Sequence, residues 1–362
     1  MENVATLCLE KHLRSAKEGD PIVYKFHWEG NYWDGDIHDY AQLSLDTVSV
    51  VAKKCAHVLT ERGVSKGDTV VAFVPTVVQL PIIALGCAHI GAVFAFINAA
   101  EEDASVLAQK IAAARPSVII CVDGFWRGTE LISVKKNLDT ALSLCPSEIS
   151  PLAVLVIRHA APHAGTPPPT EEFVGRRPCY RLAVPMAEGR DFHWAKLIVA
   201  APDAVCDAAE TLPDDVIAAF FISTPEGVRR RDMTAQELQE QIGSHLRRHP
   251  PRSLRWILGF PDVPQDAVVL LATMVAGAEI VLFEGTLSHP DPSRIGQVIS
   301  KYEVQEIIIS QADVQFLMKF PDYVHFWKTP SLQSVIYAGE ADDSDEMKWL
   351  AENFAHATVK PP

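Results

Sequence analysis

Two patterns alternate along the chain: apolar residues recurring at helical spacing, and short unbroken apolar runs bounded by turn residues. Over residues 1–20, Leu7, Leu9 and Leu13 mark a short opening helix that stops at Gly19 and Asp20. Two short strands are expected at 22–27 and 36–40. Within 44–63, the positions Val48, Val51, Ala52, Cys55, Val58 and Leu59 repeat at helical spacing, and Gly63 is a stop. Lys66, Gly67 and Asp68 then turn the chain into a strand at 69–74, closed by Pro75. A helix at 77–90, a strand at 91–96, a helix at 104–114 and a strand at 118–122 follow. Such strand–helix–strand alternation predicts a parallel sheet covered on both faces.

The pattern breaks at 158–177, RHAAPHAGTPPPTEEFVGRR, where prolines and glycines replace periodicity and predict an exposed loop or linker. Beyond it comes a second alternating set. Helices are expected near 192–199, 235–246, 293–302 and 313–320, and an apolar stretch spans 268–274. Strands are expected at 279–283, 306–309 and 334–337. The fold class is therefore α/β, with two parallel-type sheets flanked by helices. Two lobes are expected, 1–210 and 211–362, meeting near 195–215, with the loop 158–178 exposed.

The stretch 214–232, DDVIAAFFISTPEGVRRRD, is the chemical focus. Its apolar run 216–222 reads as a buried strand, central and parallel to its neighbours, feeding the turn Ser223, Thr224, Pro225, Glu226 and Gly227. Loops at such strand ends commonly hold phosphates, because free backbone N–H groups there point at the anion. Such a loop needs several glycines and usually a lysine. This one has a single Gly, a Pro that removes a donor and a Glu that repels phosphate.

With 48% hydrophobic and 22% charged residues, the 362-residue chain is an ordinary globular protein of two or three subdomains. The formal charge of −14 argues against a nucleic-acid partner. Local basic clusters (Arg229–Arg231, then Arg247, Arg248, Arg252 and Arg255) read as solvated faces. Seven scattered cysteines, without metal-clip spacing, fit a reducing compartment, and no run is long enough to span a membrane. A cytoplasmic location is expected. No His, Cys or acidic residues have metal-ligand spacing, so no metal site is expected. His12, His193 and His289 read as structural, Glu188, Arg190 and Asp191 as an ion-pair or capping cluster, and Phe125 and Trp126 as core.

The order of motifs resembles the acetyl-CoA synthetase family of adenylate-forming ligases over nearly the whole chain. The matches are LCLEKHL (7–13), GVSKGDTV (63–70), Pro75 to Pro81 with IGAV (90–93), VKKNLDTAL (134–142), EGRDFHW (188–194), LFEGTLSHPDPSR (282–294) and the pair Gly339 and Glu340. The resemblance implies a large N-terminal domain binding ATP (or AMP), Mg, an acyl substrate and CoA. It also implies formation of an acyl-adenylate and pyrophosphate, with CoA then displacing AMP.

Carried over by position, the family's roles fall on degenerate residues. Gly339 and Glu340 match the pair that lies against the adenine, with Ala341 where a Pro normally follows. Ser223, Thr224 and Gly227, with Val228, are what remains of the phosphate loop, and every lysine of that loop is missing. Arg127 matches one arginine of the CoA-phosphate site, but Glu130 stands where the second belongs. Asp262, Val263 and Pro264, followed by Gln265 and Asp266, occupy the acyl pocket, two carboxylates where a small anion should sit. A Thr-Ala-Pro-Thr turn of the family is here Ile309 to Ala312. The family's Mg-ATP motif, ribose aspartate and small C-terminal domain with its lysine have no counterpart in 1–362.

The function expected is an acetyl-CoA synthetase-like AMP-binding domain without catalysis, a scaffold or regulatory partner with no catalytic residues. The alternatives are a part of an active acetate–CoA ligase and a non-catalytic nucleotide or CoA sensor. A protein partner or self-association is expected through apolar surface around Val335 to Tyr337 and the last helix, 344–354.

Overall fold

The computed structural model describes residues 1–17, 25–34, 37–100, 103–161, 182–203, 207–248, 255–258, 264–339 and 344–360. A π-helical turn, Thr6–Glu10, runs into helix α1 (Lys11–Lys17). The strands β1 (Lys25–Asp34) and β2 (Ile37–Ser44) form an antiparallel pair. Ser44 ends β2 and caps helix α2 (Leu45–Glu61), its hydroxyl accepting from the Thr47 N–H. Five elements alternate next: β3 (Thr69–Val74), α3 (Gln79–Ile90), β4 (Val93–Asn98), α4 (Ala104–Ala114) and β5 (Val118–Val122). Gly91 closes α3 at φ +71, a left-handed position that suits glycine.

A small ribbon, β6 (Phe125–Arg127) with β7 (Glu130–Ile132), precedes α5 (Val134–Leu144) and β8 (Ala153–Ile157). The sequence reading assigns no strand to 153–157, although AVLVI is the buried run of a parallel strand. The strand β9 (Asp191–His193), α6 (Trp194–Ala200), β10 (Val216–Thr224), β11 (Gly227–Thr234) and α7 (Ala235–Arg248) follow. The remainder is β12 (Arg255–Leu258), α8 (Pro264–Val275), β13 (Glu279–Phe283), α9 (Arg294–Tyr302), β14 (Glu306–Ser310), α10 (Gln311–Leu317), α11 (Pro321–Val324), β15 (Ser334–Ala338), α12 (Asp345–Asn353) and β16 (Thr358–Lys360). Among the described residues, no helix is long and apolar enough to cross a membrane.

The strands assemble into two seven-stranded sheets, ordered β11-β10-β4-β3-β5-β8-β9 and β16-β15-β14-β12-β13-β1-β2. Within these two sheets, every pairing is parallel except β10 with β11 and β1 with β2. The sheets do not divide the chain at 210. β1 and β2 belong with the C-terminal strands, and β10 and β11 with the earlier ones. One apolar core also runs between the sheets, joining Phe26, Trp28, Ile280 and Leu282 to Val70, Val71 and Ile83. Nor is β10 central. It lies next to the sheet edge, parallel to β4 and antiparallel to β11.

Two buried ion clusters explain the family-like motifs at 134–142, 188–194 and 282–294. Lys135 reaches Asp139 at 2.6 Å and Asp191 at 2.8 Å, and Arg190 closes the ring by bonding both carboxylates at 2.6 Å. Of the residues expected to pair at 188–191, Arg190 and Asp191 are therefore a clamp between α5 and β9, whereas Glu188 is exposed and takes no part in it. In the second cluster, Glu29 on β1 accepts from Arg294 (2.8 Å), Lys301 (2.6 Å) and the Tyr302 hydroxyl (2.6 Å), which pins α9 to the sheet.

The apolar surface expected around Val335 to Tyr337 is buried instead. Val335 and Tyr337 pack with Leu350 and Phe354 of the last helix in a second core. The exposed large apolar residues nearby are Phe320, Tyr323 and Phe326.

Candidate functional site

The C-terminal ends of parallel strands are where open α/β sheets bind ligands, and the 224–227 turn and Gly339 each follow such a strand, β10 and β15. The β10 strand outruns its two-residue pairing with β4 and ends in a two-residue turn, Pro225 and Glu226, that leads straight into β11. Thr224 pairs with Gly227, so the loop expected to feed away from a strand is a closed hairpin tip. The Thr224 hydroxyl donates to the Gly227 carbonyl at 2.8 Å, with a Glu226 carboxylate oxygen at 3.3 Å. Pro225 has no N–H, and the closing pair of a two-residue hairpin turns the Gly227 N–H toward Thr224. The tip therefore lacks the converging N–H groups of an anion cradle.

Arg127 and Glu130 face each other across the β6–β7 ribbon. Asn31 on β1 fixes this ribbon: its amide donates to the Gly128 carbonyl and accepts from the Gly128 N–H, both at 2.8 Å. Gly128 lies at φ +59, which favours glycine at this turn. Arg127 thus has a carboxylate opposite it on the ribbon, and the field of Asp313 reaches it from the start of α10. Burial raises the Asp313 carboxyl above its ordinary value, against bonds from Ser310 and the charge of Arg127. A phosphate placed against Arg127 meets the Glu130 and Asp313 carboxyls as well.

Gly339 follows β15, and a side chain there would collide with the Tyr337 ring, which lies against its backbone. The Tyr337 hydroxyl is buried and has no hydrogen-bond partner among the described residues. Glu340, Asp262 and Val263 lie outside the described residues. Pro264 begins α8, where a proline lacks no helical bond. Among the described residues, no group of His, Cys, Asp and Glu is arranged to hold a metal ion.

The site's supports were not singled out in the sequence. Buried Asp123 accepts from the N–H groups of Gly124 (2.8 Å), His159 and Ala160 (2.9 Å) and Ala161 (3.0 Å). The start of the loop expected to be exposed is therefore wrapped round a carboxylate, and 162–178 lies outside the described residues. His159 in turn reaches both oxygens of Glu284, which follows β13, and so links the two sheets. Only Glu284 carried a signal, through its place in LFEG. Cys8, Cys55, Cys87 and Cys121 are buried, and burial pushes their thiols far above the ordinary value, so they act as core residues.

The AMP-binding enzyme family model matches residues 16–219. The chain is 26% identical over 357 residues to an acetyl-coenzyme A synthetase of Novosphingobium aromaticivorans, covering 96% of this chain and 50% of the relative. It is likewise 26% identical to the chloroplastic/glyoxysomal acetyl-coenzyme A synthetase of Arabidopsis thaliana, covering 96% of this chain and 44% of that one. The chain thus spans about half the length of the curated relatives it matches. The crystal structure of a Brucella canis acyl-CoA synthetase superposes with a TM-score of 0.73 at 15% identity, covering 99% of this chain and 56% of the other.

Proposed function

The chain belongs to the AMP-binding enzyme family, and on that premise we propose that it is an acetyl-CoA synthetase-like domain without ligase activity. Its fold is kept while the phosphate contacts are lost, and its role is that of a scaffold or regulatory subunit. The observation that carries this reading is the hairpin at 224–227. Its hydroxyl is bonded inward at 2.8 Å, its proline offers no donor, and Glu226 stands exposed at the tip. A triphosphate brought there meets the Glu226 carboxylate, and the turn itself carries no lysine. The Glu130 carboxylate opposite Arg127 supports the same reading for CoA. Fold and site are separable, so retained framework clusters beside altered contacts are what a non-catalytic descendant needs.

Calorimetric titration of the chain with Mg-ATP, AMP and CoA tests this, together with AMP release in the presence of acetate and CoA. The expected result is no saturable heat below millimolar ligand and AMP release at background. Micromolar ATP binding or AMP release above background overturns it. Binding without release assigns the domain to nucleotide or CoA sensing instead.

A further inference from the structure

The strand β11 carries three consecutive arginines that the nucleotide reading does not use, and they differ in what they do. The Arg230 guanidinium donates to the Ala114 carbonyl at the end of α4 (2.8 Å), to the Thr69 hydroxyl (3.1 Å) and to Asp232 (2.5 Å). It is a helix cap. Arg229 and Arg231 share the opposite face, two positions apart, so their backbone positions are roughly 7 Å from one another. Both are exposed. The Glu226 carboxylate touches Arg229 only at 3.6 Å, with both side chains about three-quarters exposed (73% and 75%), and such a pair holds little.

The same strand ends its sheet, and among the described residues no strand pairs with its outer side. The register pairs Thr224 with Gly227, Ile222 with Arg229 and Phe220 with Arg231. In a two-residue hairpin these are the pairs that exchange backbone bonds. The N–H and C=O groups of Val228, Arg230 and Asp232 therefore point outward, along the open edge. Ile222, 46% exposed, stands beside Arg229 on the same face and offers an apolar contact.

We propose that β11 is a docking edge for an extended acidic segment of a partner protein. The segment adds as a further strand, with carboxylates at alternate positions facing Arg229 and Arg231. Charge complementarity selects this occupant. The chain as a whole carries −14, yet this edge presents cations at strand spacing. A second copy does not fit, because pairing β11 with itself sets arginine against arginine. Arginines on an edge strand guard against such self-pairing, and the charge that repels a copy attracts a carboxylate strand. Added strands gain affinity from backbone bonds and specificity from alternate side chains. This inference does not rest on the state of the nucleotide site.

The test uses a fluorescein-labelled octapeptide with Glu at alternate positions and Val between, beside its Lys counterpart, read by anisotropy against the 362-residue chain. Hydrogen exchange of the β11 amides is followed in parallel. The Glu peptide is expected to bind, to slow exchange at Val228, Arg230 and Asp232, and to bind roughly tenfold or more weakly to the Arg229→Glu/Arg231→Glu variant. That variant is expected to take up the Lys peptide instead. Should it fail to fold, Arg229→Gln/Arg231→Gln gives the same comparison for the Glu peptide. Four outcomes overturn the proposal: no binding of the Glu peptide, equal binding of both peptides, binding without protection of the three amides, or inorganic pyrophosphate binding the two arginines while the peptide does not.

Discussion

His159 Nε2 lies 2.7 and 2.9 Å from the two oxygens of Glu284, joining the end of β8 in one sheet to the end of β13 in the other. Both side chains are nearly buried, at 10% and 1% exposure. The imidazole also stands edge-on to Trp28, with ring centroids 5.7 Å apart.

Replacing His159 by Phe keeps the ring and removes the imidazole from a buried carboxylate. Removing one partner of a buried pair costs about 3–5 kcal/mol. Urea unfolding of His159→Phe is expected to show a loss of that order, and Glu284→Gln a smaller one. In the double variant the losses should be well below additive. Additive losses would mean that the two residues do not act as a pair.

Acid stability should depend on Asp191. Burial raises its carboxyl, but bonds from Arg190, Lys135 and the Ala187 N–H outweigh this and bring it from 3.8 down to about 2. A carboxyl depressed on folding stabilises the native state above its unfolded value, and that stability is lost as pH falls through the folded value. The contribution should therefore disappear between about pH 4 and about pH 2. Unfolding free energy measured over this window should fall steeply for the native chain. For Asp191→Asn, less stable at neutral pH, the fall should be shallower, and parallel curves would refute the assignment.

Tyr337→Phe makes the opposite kind of prediction. Its hydroxyl is buried with no partner among the described residues, and leaving a polar group so placed costs roughly 1–3 kcal/mol. Removing it should be neutral or stabilising, read as an unchanged or raised thermal midpoint. A clear loss of stability would reveal a partner for the hydroxyl.

Rebuilding the hairpin tests the proposed defect directly. Replacing 223–227 with a longer loop bearing several glycines and two lysines returns backbone donors and positive charge. Charge-assisted hydrogen bonds contribute roughly 1.5–3 kcal/mol each, so two should raise ATP affinity by roughly 100-fold or more. If the rebuilt chain keeps its circular dichroism spectrum and still shows no ATP binding by calorimetry, the phosphates belong elsewhere.

The alternation of strands and helices was legible because buried parallel strands are short apolar runs and their covering helices keep a 3.6 period. The caps at Ser44 and Gly91 follow from local chemistry of the same kind. What the order of residues hid was long-range. Nothing near Lys25 says that its strand pairs with β13, and nothing near Asn31 says that its amide holds a turn at Gly128. The tip at Ser223 to Gly227 was recognised as poor in donors from composition. That it closes as a hairpin depends on β11, whose arginine-rich run reads as polar surface. Arg127 and Glu130 were read as a failed anion site, and their ribbon pairing adds the geometry. Val335 and Tyr337 are packed with Leu350 and Phe354 of the last helix, a mutual cover that the local pattern of neither segment reveals.

The place of β1 in its sheet also sets a timetable. Phe26 pairs with Ile280, more than 250 residues further along. Strands β3 to β11 of the other sheet all lie between these two partners. At roughly 5–20 residues per second, ribosomal synthesis puts about 10–50 s between the emergence of β1 and that of β13. During that interval, the edge of β1 that β13 later occupies has no strand to pair with. The first sheet can close while its companion is still waiting for its middle. The growing chain is thus most exposed to wrong pairing through its earliest strand, where a chaperone would find its longest window.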